Sequence, residues 1–489
     1  MKIPSAVQKI AQELIRSSFQ AFLVGGCVRD LLRKKTPADW DIATNALPKQ
    51  VQALFPNNFY QNKFGTVGVK TKKNRVIEIT TFRTEKAYSD HRHPDSVTFS
   101  TSIKQDLARR DFTINAMALN LESFLKNKAG KSKPENLSPF FFDPFYGQKD
   151  LKNKLVRAVG HAPKRFQEDA LRLLRAARFM AQLKFKIEAQ TLAAMKKNAS
   201  LLQEISRERI RDELVKIILS PDPSLGIKTL KQTSLLKYVL PELEQGIGMN
   251  QNQHHRYTVW KHSLLSLKYC PSPKLSVRLA ALLHDIAKPQ TKRGEGKQST
   301  FYNHDLIGSR VARQILSRLR FSKKITQKVA LLIKNHMFYY EVDTVTPASI
   351  RRLLSKVGPK NIQDLIDLRI ADRLGSGCPK AKPYKLRHLE YLVEKVSRDP
   401  ISVKMLKING HHLFKKANIQ RGPIMGIILN VLLSEVLDNP RKNTPQYLLQ
   451  RAKDLKNQNL SALKQKAAGK IQEKKIEEDQ VLKRKYWIK

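Results

Sequence analysis

The sequence predicts a mixed α/β head of about 150 residues followed by a long all-α body. Three observations carry that reading. Short runs rich in β-branched and aromatic residues crowd the first part of the chain, as AFLVGGCV, DWDIAT, FGTVGVKT and RVIEITTFR. From Pro163 onward apolar residues recur instead with the helical period. The chain has 489 residues, enough for two to four domains.

Charge narrows the partner. There are 91 Lys+Arg against 42 Asp+Glu, a formal net charge of +49. An excess of that size points to a polyanionic partner, most simply nucleic acid. Cys27, Cys270 and Cys378 are scattered and suit neither a disulfide framework nor a Cys-rich zinc site. No run of eighteen apolar residues occurs, so no membrane span is expected. The opening MKIPSAVQKIAQELIRSSF reads as an amphipathic helix rather than a signal peptide. A soluble, cytoplasmic protein is expected, with no membrane partner and no protein partner evident.

In chain order, AFLVGGCV reads as a strand ending in a Gly-Gly turn, and VRDLLRKK as a short helix. Three further strand-like runs follow. Lys126 to Pro139 is a basic loop containing glycine and proline. Helices are predicted over RFQEDALRLLRAARFMAQL, RIRDELVKIIL, VRLAALLHDIAK and PASIRRLLSKV. Lys464 to Lys489 reads as a charged helix or a frayed tail. Its KRKYWIK end offers cations and aromatics to RNA, or else docks by Trp487.

The chemistry-bearing residues of the head sit in these runs. In a strand, residues two apart share a face, so Asp39 and Asp41 of ADWDIA point together while Trp40 and Ile42 turn to the core. Two such carboxylates repel unless a cation lies between them, and Mg²⁺ favours hard oxygen ligands plus substrate phosphates. Glu78 of RVIEITTF adds a third carboxylate, suiting two-metal phosphoryl transfer. Gly25 and Gly26 let backbone approach phosphate, and Arg29 supplies a forked donor. An Asp-x-Asp alone is commonly just a solvated turn; the combination is what carries the reading.

With these residues in place, LVGGCVRDLL and ADWDIATNA resemble the nucleotidyltransferase motif of the class II tRNA nucleotidyltransferase and bacterial poly(A) polymerase superfamily. ARRDFTINAMALN resembles its ribose-recognition motif, FDPFYGQKDLKNKLVRAVG the element joining head to neck, RFQEDALRLLRAARF the nucleobase-recognition helix, and ISRERIRDEL the last neck motif. The resemblance runs from about Phe22 to Leu214. It implies a polymerase-β-like mixed sheet in a head over 1–150, a helical neck over 151–225, a body over 226–380 and a basic tail over 381–489. It implies Mg²⁺, CTP, ATP and tRNA, with Asp39, Asp41 and Glu78 catalytic. Gly25, Gly26, Arg29, Arg110, Asp111, Asn115, Asp169, Arg172, Arg175 and Arg178 would bind nucleotide. The last four recur every three residues, turning about 300° each time, and so form one winding stripe on a helix. The plain alternative for that stripe is an i, i+3 ion-pair ladder. Ala87 to Ser100 resembles the flexible loop kept by enzymes that add a complete CCA.

A second constellation lies downstream. His262, the His284-Asp285 doublet and Asp372 resemble the ligand set of an HD phosphohydrolase domain, with His304 and His336 where dinuclear relatives carry further ligands. Mixed imidazole and carboxylate donors suit Ni, Mn, Co, Fe or Zn rather than Mg²⁺. A metal-free scaffold is the plain alternative. His254-His255 and His411-His412 read as surface pairs. The expected activity is template-independent CCA addition to tRNA, with poly(A), CC-only or A-only addition as near alternatives. An HD phosphohydrolase, or an RNA-binding scaffold with a silent head, is the more distant one.

Overall fold

The computed structural model describes residues 3–62, 65–71, 75–86, 96–129, 140–251, 256–342, 344–397, 402–456, 458 and 460–488. The head is built on a seven-stranded sheet. Its strands are β1 (Phe22–Val24), β2 (Asp41–Thr44), β3 (Asn58–Asn62), β4 (Thr66–Lys70), β5 (Val76–Thr81), β8 (Ala118–Asn120) and β9 (Phe141–Phe142), in the order β3-β4-β5-β2-β1-β8-β9. Only β2 and β5 run parallel, so the sheet is mixed. β6 (Arg83–Lys86) and β7 (Ser96–Phe99) form a separate antiparallel hairpin, and β10 (Leu155–Val156) pairs in parallel with β11 (Lys186–Ile187).

Strand alternation splits the head core in two. Leu23, Ile42 and Ile79 face one side, against Val7, Ile10 and Leu14 of helix α1 (Ser5–Arg16). Phe22, Val24 and Ala43 face the other, with Phe82 and Leu107. β1 is buried on both faces, as its unbroken FLV requires of a central strand. The head's remaining helices are α2 (Gly26–Leu32), α3 (Pro48–Leu54), α4 (Ile103–Ala108), α5 (Leu121–Ala129) and α6 (Gly147–Lys152). The neck begins with α7 (Ala162–Glu168) and α8 (Leu171–Leu183), and beyond β11 the regular elements among the described residues are helices.

Four expectations change. β2 begins only at Asp41: Asp39 lies in a bend with Ala38 after Pro37, which has no amide to extend the ladder, and Trp40 joins that bend to the strand. The single helix expected over RFQEDALRLLRAARFMAQL is two, because Asp169 is extended (φ −140°, ψ 102°) and its carboxylate accepts from Leu171 N at 3.1 Å. The helix Leu275–Leu283 stops short of His284 and Asp285, which lie in the turn behind it. At the far end the chain is a helix over Leu460–Tyr486, and Trp487 does not dock: it is 80% exposed, while Leu482 and Ile488 are buried.

The chain divides into two compact units, residues 1–334 with 371–377, and residues 335–370 with 378–489. The second has its own core, including Leu413, Ile428, Leu432, Leu448 and Ala452. Within it Tyr391 Oη donates to Asp479 and Tyr486 Oη to Glu394, each at 2.5 Å, holding the last helix. Residues 87–95 of the loop expected over Ala87–Ser100, residues 130–139 of the basic loop, and the pair His254-His255 lie outside the described residues. His411 is exposed and His412 half-buried.

Candidate active site

Gly25 closes β1 and opens α2 at φ +76°, a conformation in which a side chain is strained. A Cβ there would also lie 2.8 Å from Arg110 Nη1 and 3.6 Å from Asp41 Oδ2, so glycine is what lets that guanidinium cross the turn. Asp41 is half-buried and Asp39 exposed. The parallel register sets Asp41 beside Glu78. Burial pushes the Asp41 carboxyl up to about 6; Arg110 opposes the rise, and Glu78 and Asp39 reinforce it. Three carboxylates thus gather at two neighbouring inner strands of the sheet, Asp41 and Glu78 on β2 and β5 and Asp39 just before β2.

The RRD segment supplies the next wall. Buried Asp106 holds both arginines: Arg109 Nη2 donates to its Oδ1 at 2.7 Å and Arg110 Nη2 to its Oδ2 at 3.4 Å. Arg109 Nη1 also donates to Glu85 of the β6–β7 hairpin at 3.1 Å. Asp111 turns inward and accepts from Arg175 Nε at 2.7 Å, Asn115 Nδ2 at 3.1 Å and Phe112 N at 2.8 Å. Burial would raise its carboxyl, but Arg175 and Asn115 hold it down at about 2. Arg29 Nη1 in turn donates to Asn115 Oδ1 at 2.8 Å.

The neck arginines do not form an i, i+3 ladder with Asp169. Each has a carboxylate from elsewhere: Arg172 pairs with Glu168 at 2.7 Å, Arg175 with Asp111 at 2.6 Å, and Arg178 with Glu213 at 3.0 Å. Arg172 is fixed further by the carbonyls of Arg165 and Arg109, at 3.0 and 3.1 Å. Asp169 meets Arg209 Nη2 at 3.2 Å.

These groups converge. One cavity of about 620 Å³ is lined by Gly25, Gly26, Arg29, Asp39, Asp41, Arg110, Asp111, Asn115, Asp169, Arg172, Arg175 and Arg178. Glu78, beside Asp41 on the next strand, is not in the lining. Five further lining residues were not singled out from sequence: Arg109, Leu171, Phe179, Gln182 and Arg209. Phe179 and Gln182 continue the α8 stripe four residues after Arg175 and Arg178, a spacing that could have found them. Phe179 carries the guanidiniums of Arg178, Arg29 and Arg175 at 4.4, 5.4 and 5.7 Å from its ring centre.

The downstream constellation also assembles. His262 Nε2 and His284 Nε2 face each other at 3.0 Å, and Asp285 Oδ2 lies 3.2 and 3.4 Å from them. Asp372 Oδ1 lies at 3.4 and 3.8 Å from the same two nitrogens. His304 Nε2 is 3.5 Å from Asp285 Oδ1, and its other ring nitrogen meets Phe301 O at 2.7 Å. His336 is buried and belongs to the second compact unit. A group that sequence reading passed over is Lys288, whose ammonium is buried and 2.7 Å from Asp285 Oδ2 and 2.6 Å from Gln251 Oε1. Burial disfavours charge on His262, yet Asp285 and Asp372 push its pKa up to about 9.

Comparison with known proteins gives three family-level matches: a poly A polymerase head domain over residues 21–157, a probable RNA and SrmB-binding site of polymerase A over 184–247, and an HD domain over 255–376. The chain is 40% identical to a CCA-adding enzyme of Geobacillus thermodenitrificans over 249 residues, which span 51% of this chain and 57% of that enzyme. It is 31% identical to a CCA-adding enzyme of Limosilactobacillus reuteri over 448 residues, 91% of this chain and 95% of that one. Its fold is similar to the crystal structure of the Bacillus stearothermophilus CCA-adding enzyme in complex with CTP, with TM-score 0.59 and 26% identity, covering 93% of this chain and 99% of that one.

Proposed function

The chain belongs to the CCA-adding enzyme family, and from that premise we propose that it completes or repairs the 3′-terminal CCA of tRNA using CTP and ATP. The observation that carries this is the single cavity in which the glycine turn, the Asp pair and the paired arginines meet. The tRNA 3′-hydroxyl attacks the α-phosphorus, a P–O bond forms, and pyrophosphate leaves. Most of such a rate comes from positioning and charge.

Asp39 and Asp41, with Glu78 beside Asp41, fit divalent cations such as Mg²⁺: they are hard donors, and burial raises the Asp41 carboxyl, with Glu78 and Asp39 adding to the rise. When bound, such a cation neutralises triphosphate charge. Gly25 and Gly26 admit the triphosphate, and Arg29 and Arg110 donate to it. Asn115 and the Asp111–Arg175 pair face the ribose. Asp169 accepts from a base amino group while Arg172 or Arg209 donates to the adjacent ring nitrogen. Cytosine and adenine both offer an amino donor beside a ring acceptor, and uracil and guanine reverse the pair. One carboxylate–guanidinium set therefore suits C and A alone.

In this reading residues 1–150 carry the chemistry, 151–225 read the base, 226–380 hold the histidine cluster and 381–489 form a basic tail. We assign the chain to the cytoplasm, with its RNA and nucleotides. No helix among the described residues is long and apolar enough to cross a membrane.

The test is incubation with tRNA lacking CCA and each nucleotide, separately and together. CTP alone should add two residues, and ATP should add one only after them. A long tract from ATP alone would make the chain a poly(A) polymerase. Stopping after CC, or adding only A, would make it a specialist. No incorporation would leave an RNA-binding scaffold.

A second reading rests on the buried His262, His284 and Asp372 donors, which all lie within 4.8 Å of one another. We propose that these, with Asp285, hold a transition metal. Two imidazoles facing each other beside shared carboxylates fit one, and Ni, Mn, Co, Fe or Zn suits that donor set better than Mg²⁺. When bound, such a metal supplies a water nucleophile near neutral pH, which suits removal of phosphate or 2′,3′-cyclic phosphate from damaged RNA ends. Elemental analysis together with a 2′,3′-cyclic AMP assay decides it: no bound metal and no hydrolysis under any divalent ion sinks the assignment.

A further inference from the structure

Away from the cavity, the ends of α2, α6 and α8 gather lysines. Lys34 and Lys35 follow α2, and both are exposed. Lys149 and Lys152 are exposed on α6. Lys184 follows α8, and Lys186 N donates to Lys154 O at 2.9 Å, setting those two strands side by side. The elements adjoin. A small hollow lies between α2 and α6, lined by Leu32, Arg33, Gln148, Leu151 and Lys152, and Arg33 sits 5.6 Å from the Phe185 ring centre beside β11.

In a chain this basic, lysines alone mean little; what marks this surface is that its acids are spent elsewhere. Asp30 is taken by Arg29 at 3.0 Å and Arg33 at 3.6 Å. Asp143 caps the amides of Gly147 and Gln148 at 2.7 and 2.9 Å. Buried Asp150 accepts from Thr113 and Arg157, and Glu188 from Thr191. Among the described residues none of these lysines has an ion-pair partner. Lys34, Lys154 and Lys184 also have left-handed backbones, with φ of 57°, 54° and 58°. Glycine is the unstrained choice at such helix ends. The helix dipole favours positive charge nearby but does not require it at the strained position itself.

Resting on the reading above that the acceptor is RNA, we propose that this lysine surface grips the phosphate backbone of the acceptor's duplex. Ammonium groups are point charges that suit phosphates rather than base edges. α2 starts at Gly26 in the cavity wall and spans only seven residues. Its far end is therefore about 10 Å from the wall, which is reach enough for a stem whose 3′ end enters the cavity.

The test uses the full chain and two variants. The first carries Lys35→Gln, Lys149→Gln, Lys152→Gln and Lys186→Gln, all exposed and none strained. Its affinity for tRNA lacking CCA should fall at least about tenfold near 0.1 M salt, and its log–log salt slope should become shallower by about 2 to 4. KM for CTP should not move, and binding of a short single-stranded oligonucleotide should change little. Unchanged affinity and slope would overturn the proposal, and equal loss for the single strand would overturn the duplex assignment. The second variant carries Lys34→Gly, Lys154→Gly and Lys184→Gly. Its Tm should rise while tRNA affinity falls; a rise in Tm with affinity intact would reduce these lysines to helix caps. If the wild-type chain extends no RNA yet the first variant still loses duplex binding, the enzymatic reading fails and this one stands.

Discussion

Asp39 and Asp41 differ in exposure yet line one cavity, whose other carboxylates, Asp111 and Asp169, are paired with Arg175 and Arg209. Asp39→Ala or Asp41→Ala should each abolish nucleotide addition with Mg²⁺ and leave tRNA binding nearly unchanged; near-wild-type turnover in either would refute the metal assignment. Base reading is tested more cleanly at Asp169 than at Arg172. Removing Arg172 takes away one of the two guanidiniums that hold buried Glu168, leaving only Arg165, and frees two carbonyls, so it costs stability as well as recognition. Asp169→Asn keeps the shape and inverts the hydrogen bonding, and it should admit UTP or GTP more than it weakens triphosphate binding. Equal loss for all four nucleotides, with fidelity intact, would make Asp169 a strut for Arg209. Asp111 adds a pH signature. Its folded carboxyl is held near 2 against 3.8 unperturbed, so its stabilising contribution is complete above about pH 4 and is lost as pH falls toward 2. That contribution is about 2 kcal/mol. Acid titration of stability should show it, and Asp111→Asn should flatten the curve in that window.

Elements follow local chemistry where one force dominates and depart from it where two compete. The strands β1, β2, β4 and β5 and the helices Arg207–Ile218 and Pro347–Val357 were legible because apolar patterning alone sets them, whereas β3 and β6 to β9 were not singled out. The break at Asp169 was not, since LRLLRAARF continues the helical pattern while a carboxylate that caps Leu171 N stops it. The partners of Arg175 and Arg178 were equally hidden, because Asp111 and Glu213 are distant in sequence and only the fold brings them near. The final helix shows the cost of reading a tail from charge. Its lysines suggested a removable RNA contact, but Leu482, Ile488 and Ala467 are buried and Tyr486 is tied to Glu394. Deleting Lys464 to Lys489 should therefore destabilise the second unit by several kcal/mol, at roughly 1.5–3 kcal/mol for each large apolar side chain exposed. A lowered Tm would show this, and an unchanged Tm would restore the tail as a dispensable arm. Its role in RNA binding is better probed by Lys→Gln at exposed positions.

At the scale of the molecule, two groups of chemistry-bearing residues occupy one chain and share no side chain. Asp285→Ala should abolish any metal-dependent hydrolysis and leave CCA addition intact, and Asp41→Ala should do the reverse. Loss of both activities in either variant would mean a coupled or misfolded protein. What the two groups share is charge. A net +49 spread over 489 residues opposes compactness through self-repulsion, and a polyanion relieves that repulsion. Each phosphate neutralised by Lys or Arg releases counterions, so affinity should fall steeply as salt rises. With several backbone contacts the log–log slope for tRNA should be of order −4 or steeper. A titration from low to physiological salt, with CTP affinity followed in parallel, separates that effect from any change in the active site. A slope shallower than about −2 would mean that the positive charge is not used to hold RNA. A steep tRNA slope beside a nearly flat one for CTP would place the excess charge outside the nucleotide cavity, where Arg172, Arg175 and Arg178 are already matched by Glu168, Asp111 and Glu213.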